Sequence, residues 1–338
     1  MPVYKTDGMR TYEVWNYNGQ DNSKAYDGSA NILLDNTEYG IENVVSYYRT
    51  ELQAMAATIS ALSSDWQNVV FLTDTHGSAN KQHSQAMAIW LAENAPIDFI
   101  HLNGDFSNDP WSTSEYLTFV QPFVMRKIAK RTYAAYGNHE TYGSQAAESK
   151  PNICRDFVYP HSVIGNFDNL YYYFDNAEKK TRWMVINTSD TSAYTIGQTQ
   201  LEWIRQNVQL PDTDWHLVVF GHVNLNDLGG ITTQNEANAV AVISAIASCN
   251  GNIVGYVCGH QHIDDTRNIG DFQQTTLMCD RFENTDYYNG LSYTERVAGT
   301  DNEQAITIMS LNTQTREVVF RRIGAGWASI VEGLHYTY

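Results

Sequence analysis

The sequence is short of positive charge. Lys and Arg number 21 against 38 Asp and Glu, a net charge of −17 at pH 7. Such a chain repels nucleic acid and anionic membranes at long range, which argues against a nuclease. There is no apolar run of membrane-spanning length. The first residues, Met1-Pro2-Val3-Tyr4-Lys5-Thr6-Asp7, lack the basic segment and apolar core of a signal peptide, which points to the cytoplasm. A secreted chain whose signal has been trimmed fits the same start. Cysteine is scarce: Cys154, Cys249, Cys258 and Cys279 show no C-x-x-C spacing. They read as buried free thiols rather than a disulfide framework, in keeping with a reducing compartment. There is no internal repeat and no low-complexity tract.

What is present is a core. Hydrophobic residues make up 43% of 338, enough for one large α/β domain with additions or for two domains. Residues 1–38 are polar, with short strand-like pieces such as Thr11-Tyr12-Glu13-Val14-Trp15. Residues 39–64 read as a proline-free helix, with Val45, Tyr48, Leu52, Met55, Ile59 and Leu62 at alternating steps of three and four. The run is too short for a secure coiled coil, so an amphipathic helix packed on its own domain is preferred to one that associates chains. Residues 1–65 thus read as an N-terminal extension and 66–338 as the main domain.

From Trp66 a βα alternation begins. Strands near 68–73, 97–103 and 132–136 enclose a helix from Lys81 to Asn94 and another from Ser112, where Ser112-Thr113-Ser114-Glu115 has the form of a capping box. Pro122 should kink or divide that second helix. Residues 141–170 read as an irregular loop suited to substrate contacts, with Tyr142 as a lining residue. Leu170–Phe174 and Arg182–Ile186 form a hairpin. A helix from Gln200 to Val208, a strand to Phe220, a helix near 235–249 and a strand to Cys258 follow. Ala305–Met309 and Val318–Phe320 make a late hairpin. The βα units are expected to form one sheet and the late hairpins another.

Five apolar stretches end in a residue able to bind a metal. They deliver Asp74 and His76, then Asp105, then Asn138 and His139, then His222, then His260 and His262. Strand C-terminal ends are where open α/β sheets build their sites, and a strand end fixes ligand direction better than a free loop. A single histidine at a strand end is more often structural than a ligand. Seven candidate ligands at five successive ends, with His139 set apart from them beside Asn138, make that explanation a poor one. Mixed Asp, Asn and His donors suit Mn, Fe or Zn, and the lack of Cys among them argues against a structural zinc site.

The order D-x-H, G-D, G-N-H-E, H, G-H-x-H resembles the calcineurin-like metallophosphoesterase family, with all five blocks present over roughly residues 66–325. The resemblance implies an α/β fold, a four-layer α/β/β/α sandwich of two mixed sheets flanked by helices. It implies a binuclear metal-dependent phosphoesterase that hydrolyses a phosphodiester or phosphomonoester by a metal-bound hydroxide, a phosphodiesterase ahead of a phosphatase. Asp105 would bridge two divalent ions, manganese ahead of iron or zinc. Asp74, His76 and His262 would complete one ion, and Asn138, His222 and His260 the other. His139 would act on the substrate as a catalytic group, with Asp105 beside it. One block departs from the pattern: Asn108 stands where G-D-x-x-D has its second Asp, and Asp109 follows one residue too late to replace it simply.

Other readings stay open. The extension at residues 1–65 resembles attachment regions of metallophosphoesterase domains in bacteriophage structural or tail-associated proteins, which implies a virion-associated enzyme or an oligomer. A non-catalytic phosphate-binding or structural module on the same scaffold is the alternative of a different class. The remaining histidines, His83, His101, His161, His216 and His335, read as structural or surface residues.

Overall fold

The computed structural model describes residues 3–6, 11–14, 39–77, 80–107, 112–124, 131–141, 146–158, 161–191, 194–226, 236–278, 280, 296–326 and 333–338. Two short strands, β1 (Val3–Thr6) and β2 (Thr11–Val14), pair antiparallel. The rest of residues 1–38, part of the stretch expected to attach the chain, lies outside the described residues. Asn108, Asp109, Tyr142 and Cys279 lie outside them too.

The helix expected over 39–64 is shorter. Two 3-10 turns, Ile41–Asn43 and Ser46–Tyr48, precede α1 (Arg49–Ser60). The backbone is extended at Val44 and Val45, with ψ 138° and 144°, where two β-branched residues in succession favour an extended chain over a helix. Arg49 reaches back to the Val44 and Glu42 carbonyls. Tyr48, Leu52 and Ile59 are buried, and Val45, Met55 and Leu62 pack partly buried on the same core. The apolar seam thus faces the protein's own interior.

The first of two large sheets has the order β15 (Leu334–Thr337), β14 (Glu317–Gly324), β13 (Ala305–Asn312), β3 (Trp66–Leu72), β4 (Phe99–Leu102) and β5 (Thr132–Ala134). The second has the order β11 (Asp265–Ile269), β12 (Phe272–Thr276), β10 (Asn252–Cys258), β9 (His216–Phe220), β8 (Thr181–Val185), β7 (Tyr171–Asn176) and β6 (Ile164–Asn166). Both are mixed. β3, β4 and β5 run parallel, as do β8, β9, β10 and β12, while β13, β14 and β15 and the β6–β7–β8 meander are antiparallel.

This arrangement corrects the expected division of βα units into one sheet and late hairpins into another. The βα units are split between the sheets, and the late hairpin β13–β14 joins the first one beside β3. All eight residues of β13 are buried, so it needs a place in a sheet's interior. A hydrophobic run says only that a strand is buried, and its partner is chosen by long-range packing.

The sheets face each other through aromatic side chains. Phe71 meets Phe220 at 5.9 Å, Phe99 meets Trp183 at 5.0 Å, and the His101 ring stacks on Phe220 at 4.2 Å between ring centroids. Along β9, Val218 and Phe220 enter this inter-sheet core. Leu217 and Val219 point the other way, with the period of two expected of a strand. There they meet Leu201 and Ile204 of α5 (Gln198–Asn207) and Val242 and Ile246 of α6 (Glu236–Ala247). α1, α2 (Lys81–Asn94) and α3 (Thr113–Val124) belong with the first sheet. The result is the expected four layers. Replacing a side chain such as Phe220 by Ala would cost about 3–5 kcal/mol.

Local expectations fare unevenly. α2 occupies the expected residues, and Ser112 Oγ accepts the Glu115 N–H at 3.2 Å, half of a capping box. α3 contains Pro122. Within 141–170, read as irregular, lie α4 (Ala146–Ile153) with Pro151 inside it, a π turn at Cys154–Val158, and β6. Among the described cysteines, Cys154, Cys249 and Cys258 are free thiols. None of the described helices is long and apolar enough to cross a membrane.

Candidate metal centre

β3, β4 and β5 from one sheet and β9 and β10 from the other end at a common edge, and the candidate ligands lie just past those ends. Five of them hold left-handed backbone: Asp74 (φ 54°), His76 (46°), Asp105 (54°), His260 (68°) and His262 (55°). For residues with a Cβ such angles are uncommon, and they persist only where the surroundings over-determine them. The glycines of the motifs allow the loops to meet this closely. A Cβ on Gly137 would lie 2.1 Å from Asp105 Oδ1, and one on Gly259 would lie 2.1 Å from Thr73 Oγ1.

Three overlapping groups bring ligand atoms within 4.8 Å of one another: Asp74, His76 and His262; Asp105, His222 and His260; His76, Asp105 and His139. His262 Nε2 lies 3.3 Å from Asp74 Oδ1 and 3.0 Å from His76 Nε2. His222 Nε2 lies 2.9 Å from Asp105 Oδ2 and 3.7 Å from Asp74 Oδ1. Asp105 Oδ2 is also 3.8 Å from His76 Nε2 and 3.9 Å from His139 Nε2. One oxygen of Asp105 thus faces both sets of imidazoles. Asn138 joins through a neighbour: its Nδ2 donates to the Tyr194 hydroxyl at 3.3 Å, and the Tyr194 ring lies 5.3 Å from that of His260.

The centre fits a cation. Asp74 Oδ2 accepts hydrogen bonds from Thr73 Oγ1 and the His260 N–H. Asp74 Oδ1 and Asn138 Oδ1 are buried and accept none from any described residue. Buried oxygens left this way are costly unless a positive charge satisfies them. His222 donates Nδ1–H to the Asn103 carbonyl, 2.6 Å away. That leaves Nε2 as the ring atom able to face a cation, as in histidines whose other nitrogen is fixed by a carbonyl.

The electrostatics follow from burial and mutual charge. Burial alone would raise the Asp74 and Asp105 carboxyls, but the His222 imidazole and its neighbours outweigh it and hold both well below the carboxylate range. Burial would lower His222, yet Asp105 and Asp74 carry it up to about 9. His260 is pushed down to about 3 by burial, with His222 adding to the shift. In His139 the side chain is 29% exposed, against 13% for His262 and 2% for His76. It is the group turned most toward solvent among those three.

Several residues that shape the centre carry no assignment from the sequence. Glu140 stands in the block Gly137-Asn138-His139-Glu140 and is fully buried. It accepts the backbone N–H groups of Asp105, Phe106 and Gly137 at 2.9, 2.8 and 2.7 Å. Burial and then the Asp105 charge raise its carboxyl to about 8. Its place in the motif was the available signal. Tyr194, at φ 64°, orients the Asn138 amide and had none. The other histidines bond elsewhere. His83 meets Tyr47 and Glu303, His161 meets the Thr132 carbonyl, His216 meets Tyr338, and His335 meets Glu317.

A family model described as calcineurin-like phosphoesterase matches residues 67–264, more than half of the chain. Curated proteins offer no match. Among solved structures, a purple acid phosphatase from seeds of yellow lupin (Lupinus luteus) is similar at 14% identity and a TM-score of 0.51, over 77% of this chain and 52% of that one. A phosphatase from Mycoplasma pneumoniae is similar at 14% identity and 0.43, over 79% and 96%. A putative 5'-nucleotidase from Staphylococcus aureus is similar at 14% identity and 0.42, over 77% and 54%. The chain spans about half the length of the lupin protein, and the likeness to it is one of fold.

Proposed function

The chain belongs to the calcineurin-like phosphoesterase family, and from that premise we propose that it hydrolyses phosphate esters with two divalent metal ions. Asp74, His76 and His262 would hold one ion, and Asn138, His222 and His260 the other, with Asp105 between them. The observation that carries this reading is the pair of buried oxygens, Asp74 Oδ1 and Asn138 Oδ1, left without hydrogen bonds beside converging imidazole nitrogens. We name manganese as the metal and a phosphodiester as the substrate ahead of a monoester.

Two divalent ions held by these residues would supply an acidified water and offset the charge of the phosphoryl oxygens that would otherwise repel it. The chain's own groups do the rest. Asp105 faces both ligand sets and carries the charge that keeps them together. Asn138 contributes a neutral oxygen and so adds no charge to repel an anionic ester. His139 stands at the open side with Nε2 3.9 Å from Asp105 Oδ2, where it can stabilise charge and give a proton to the leaving oxygen.

The test is hydrolysis of a chromogenic phosphate bis-ester against the matching monoester, with Mn added and bound metal counted. We expect the bis-ester to be preferred. His139→Ala should keep both ions and lose about 10²–10³-fold in turnover, whereas Asn138→Ala should lose an ion together with activity. A protein that holds two ions and turns over neither ester would instead support the phosphate-binding or structural module.

A further inference from the structure

His260 and His262 both stand in left-handed backbone, on a segment that leaves β10 after Cys258 and enters β11 at Asp265. Its upstream end is held near the centre itself. Gly259 N–H donates to the His222 carbonyl at 3.0 Å, His260 N–H to Asp74 Oδ2 at 2.9 Å, and Gln261 Nε2 to Asn224 Oδ1 at 2.8 Å. Its downstream end is held by Asp264. That carboxylate is buried and meets the buried Arg322 guanidinium through two nitrogens, Nη2 to Oδ1 at 2.6 Å and Nη1 to Oδ2 at 3.2 Å. Arg322 is itself fixed by Thr307 Oγ1 at 3.0 Å and the Ala325 carbonyl at 2.6 Å.

Arg322 belongs to β14, in the six-stranded sheet, while Asp264 adjoins β11 of the seven-stranded one. The pair therefore ties one sheet to the loop of the other. Arg322 lies outside the family match, which ends at residue 264. Stability alone is a poor reason for such a pair, because a buried ion pair is often no better than apolar residues of the same volume. Orientation is a better one: the planar guanidinium fork on a carboxylate fixes direction as well as distance.

We propose that Arg322 is a positioning residue for the metal centre, holding His262 in its left-handed conformation through Asp264. This rests on the two-metal reading above. His262 is two residues from the anchor. His260 is four away and has its own tie to Asp74, so the loss of Arg322 falls on the ion held by Asp74, His76 and His262.

The experiment is titration of the full chain with Mn against a chelating dye, alongside the thermal unfolding midpoint. In Arg322→Met one ion is expected to weaken by about 10- to 100-fold and the other to stay as in wild type. That variant leaves the Asp264 carboxylate buried without its charge partner, with the Met278 N–H still donating to it at 2.9 Å, and can fail to fold, so Arg322→Met/Asp264→Leu is measured with it. The double variant should unfold near the wild-type temperature and still bind one ion weakly. Wild-type affinity for both ions in the folded double variant overturns the proposal. Equal weakening of both overturns it too, since that would be general loosening rather than placement of His262. A wild-type chain that holds fewer than two ions overturns the two-metal reading and this inference with it.

Discussion

The two halves of the centre are built by different means. The half on the six-stranded sheet carries Asp74, His76, Asp105, Asn138 and His139, and its loops are laced by main-chain bonds. Asp74 N–H donates to the Gly104 carbonyl at 3.2 Å, His76 N–H to that of Asp105 at 2.9 Å, and Gly77 N–H to that of Phe106 at 3.2 Å. Glu140 then takes three further N–H groups from the same loops. The half on the seven-stranded sheet carries imidazoles alone, His222, His260 and His262. Side chains attach it to the first half, through His222 to the Asn103 carbonyl, Asp74 to the His260 N–H, and Arg322 to Asp264. The reason is spacing. Neighbouring strands of one sheet lie about 5 Å apart, and their loops reach each other by backbone, whereas facing sheets lie about 10 Å apart and side chains span most of the gap, beside the main-chain bond from Asp280 N–H to the Thr73 carbonyl at 2.8 Å.

That contrast can be broken at its strongest point first. Asp105 sits in the laced half and faces both ligand groups, so Asp105→Asn should release both ions and lower turnover by about 10⁴-fold, the equivalent of about 5 kcal/mol of transition-state stabilisation. His262→Ala, in the other half, should release one ion and cost less. Metal counting beside steady-state kinetics checks both, and equal losses would erase the distinction between the halves.

A smaller effect sharpens it. Glu140→Ala strands three buried N–H groups and should lower the unfolding free energy by about 3–5 kcal/mol. Gln261→Ala, which cuts one side-chain bond within the imidazole half, should cost about 1 kcal/mol. Urea denaturation of the two variants measures the gap; similar costs would mean that Glu140 does not lace the loops as described.

An effect smaller than that of Glu140→Ala lies at the seam. His101 on β4 is buried against Phe220 of β9, and burial pushes its imidazole down to about 3 from an ordinary 6.5. The unfolded chain takes up a proton that the folded chain refuses. This contribution to stability is whole above pH 6.5 and is lost as pH falls toward 3. Between pH 7 and pH 5 it should amount to about 2 kcal/mol. His101→Phe should therefore lose about 2 kcal/mol less than wild type over that range in urea melts, and parallel pH profiles would show that the seam takes up the proton in both states.

Much of the centre could be read along the chain because each ligand block follows its own apolar strand. The strand after which Asp105 or His260 stands is adjacent in sequence, and the period of the hydrophobic pattern reports it. β11, β12 and β15 escaped the same reading. β12 is Phe272-Gln273-Gln274-Thr275-Thr276, and its Gln274, Thr275 and Thr276 are fully buried polar residues. A pattern that sorts polar residues outward cannot place such a strand. α4 escaped because Pro151 argues against a helix, yet it stands in the last turn of α4, just before the π turn at Cys154–Val158.

Residue order alone made legible the candidate metal-binding side chains, their position at strand ends, and the α/β sandwich of this family. Those are local facts, written in residue type and in spacings of a few positions. Long-range packing set which strands share a sheet, which oxygen of Asp74 faces the centre, and that Tyr194, Glu140 and Arg322 stand behind the candidate ligands. Arg322 and Asp264 are 58 positions apart along the chain, and a guanidinium finds its carboxylate through the packing of two sheets, which no short stretch of sequence encodes.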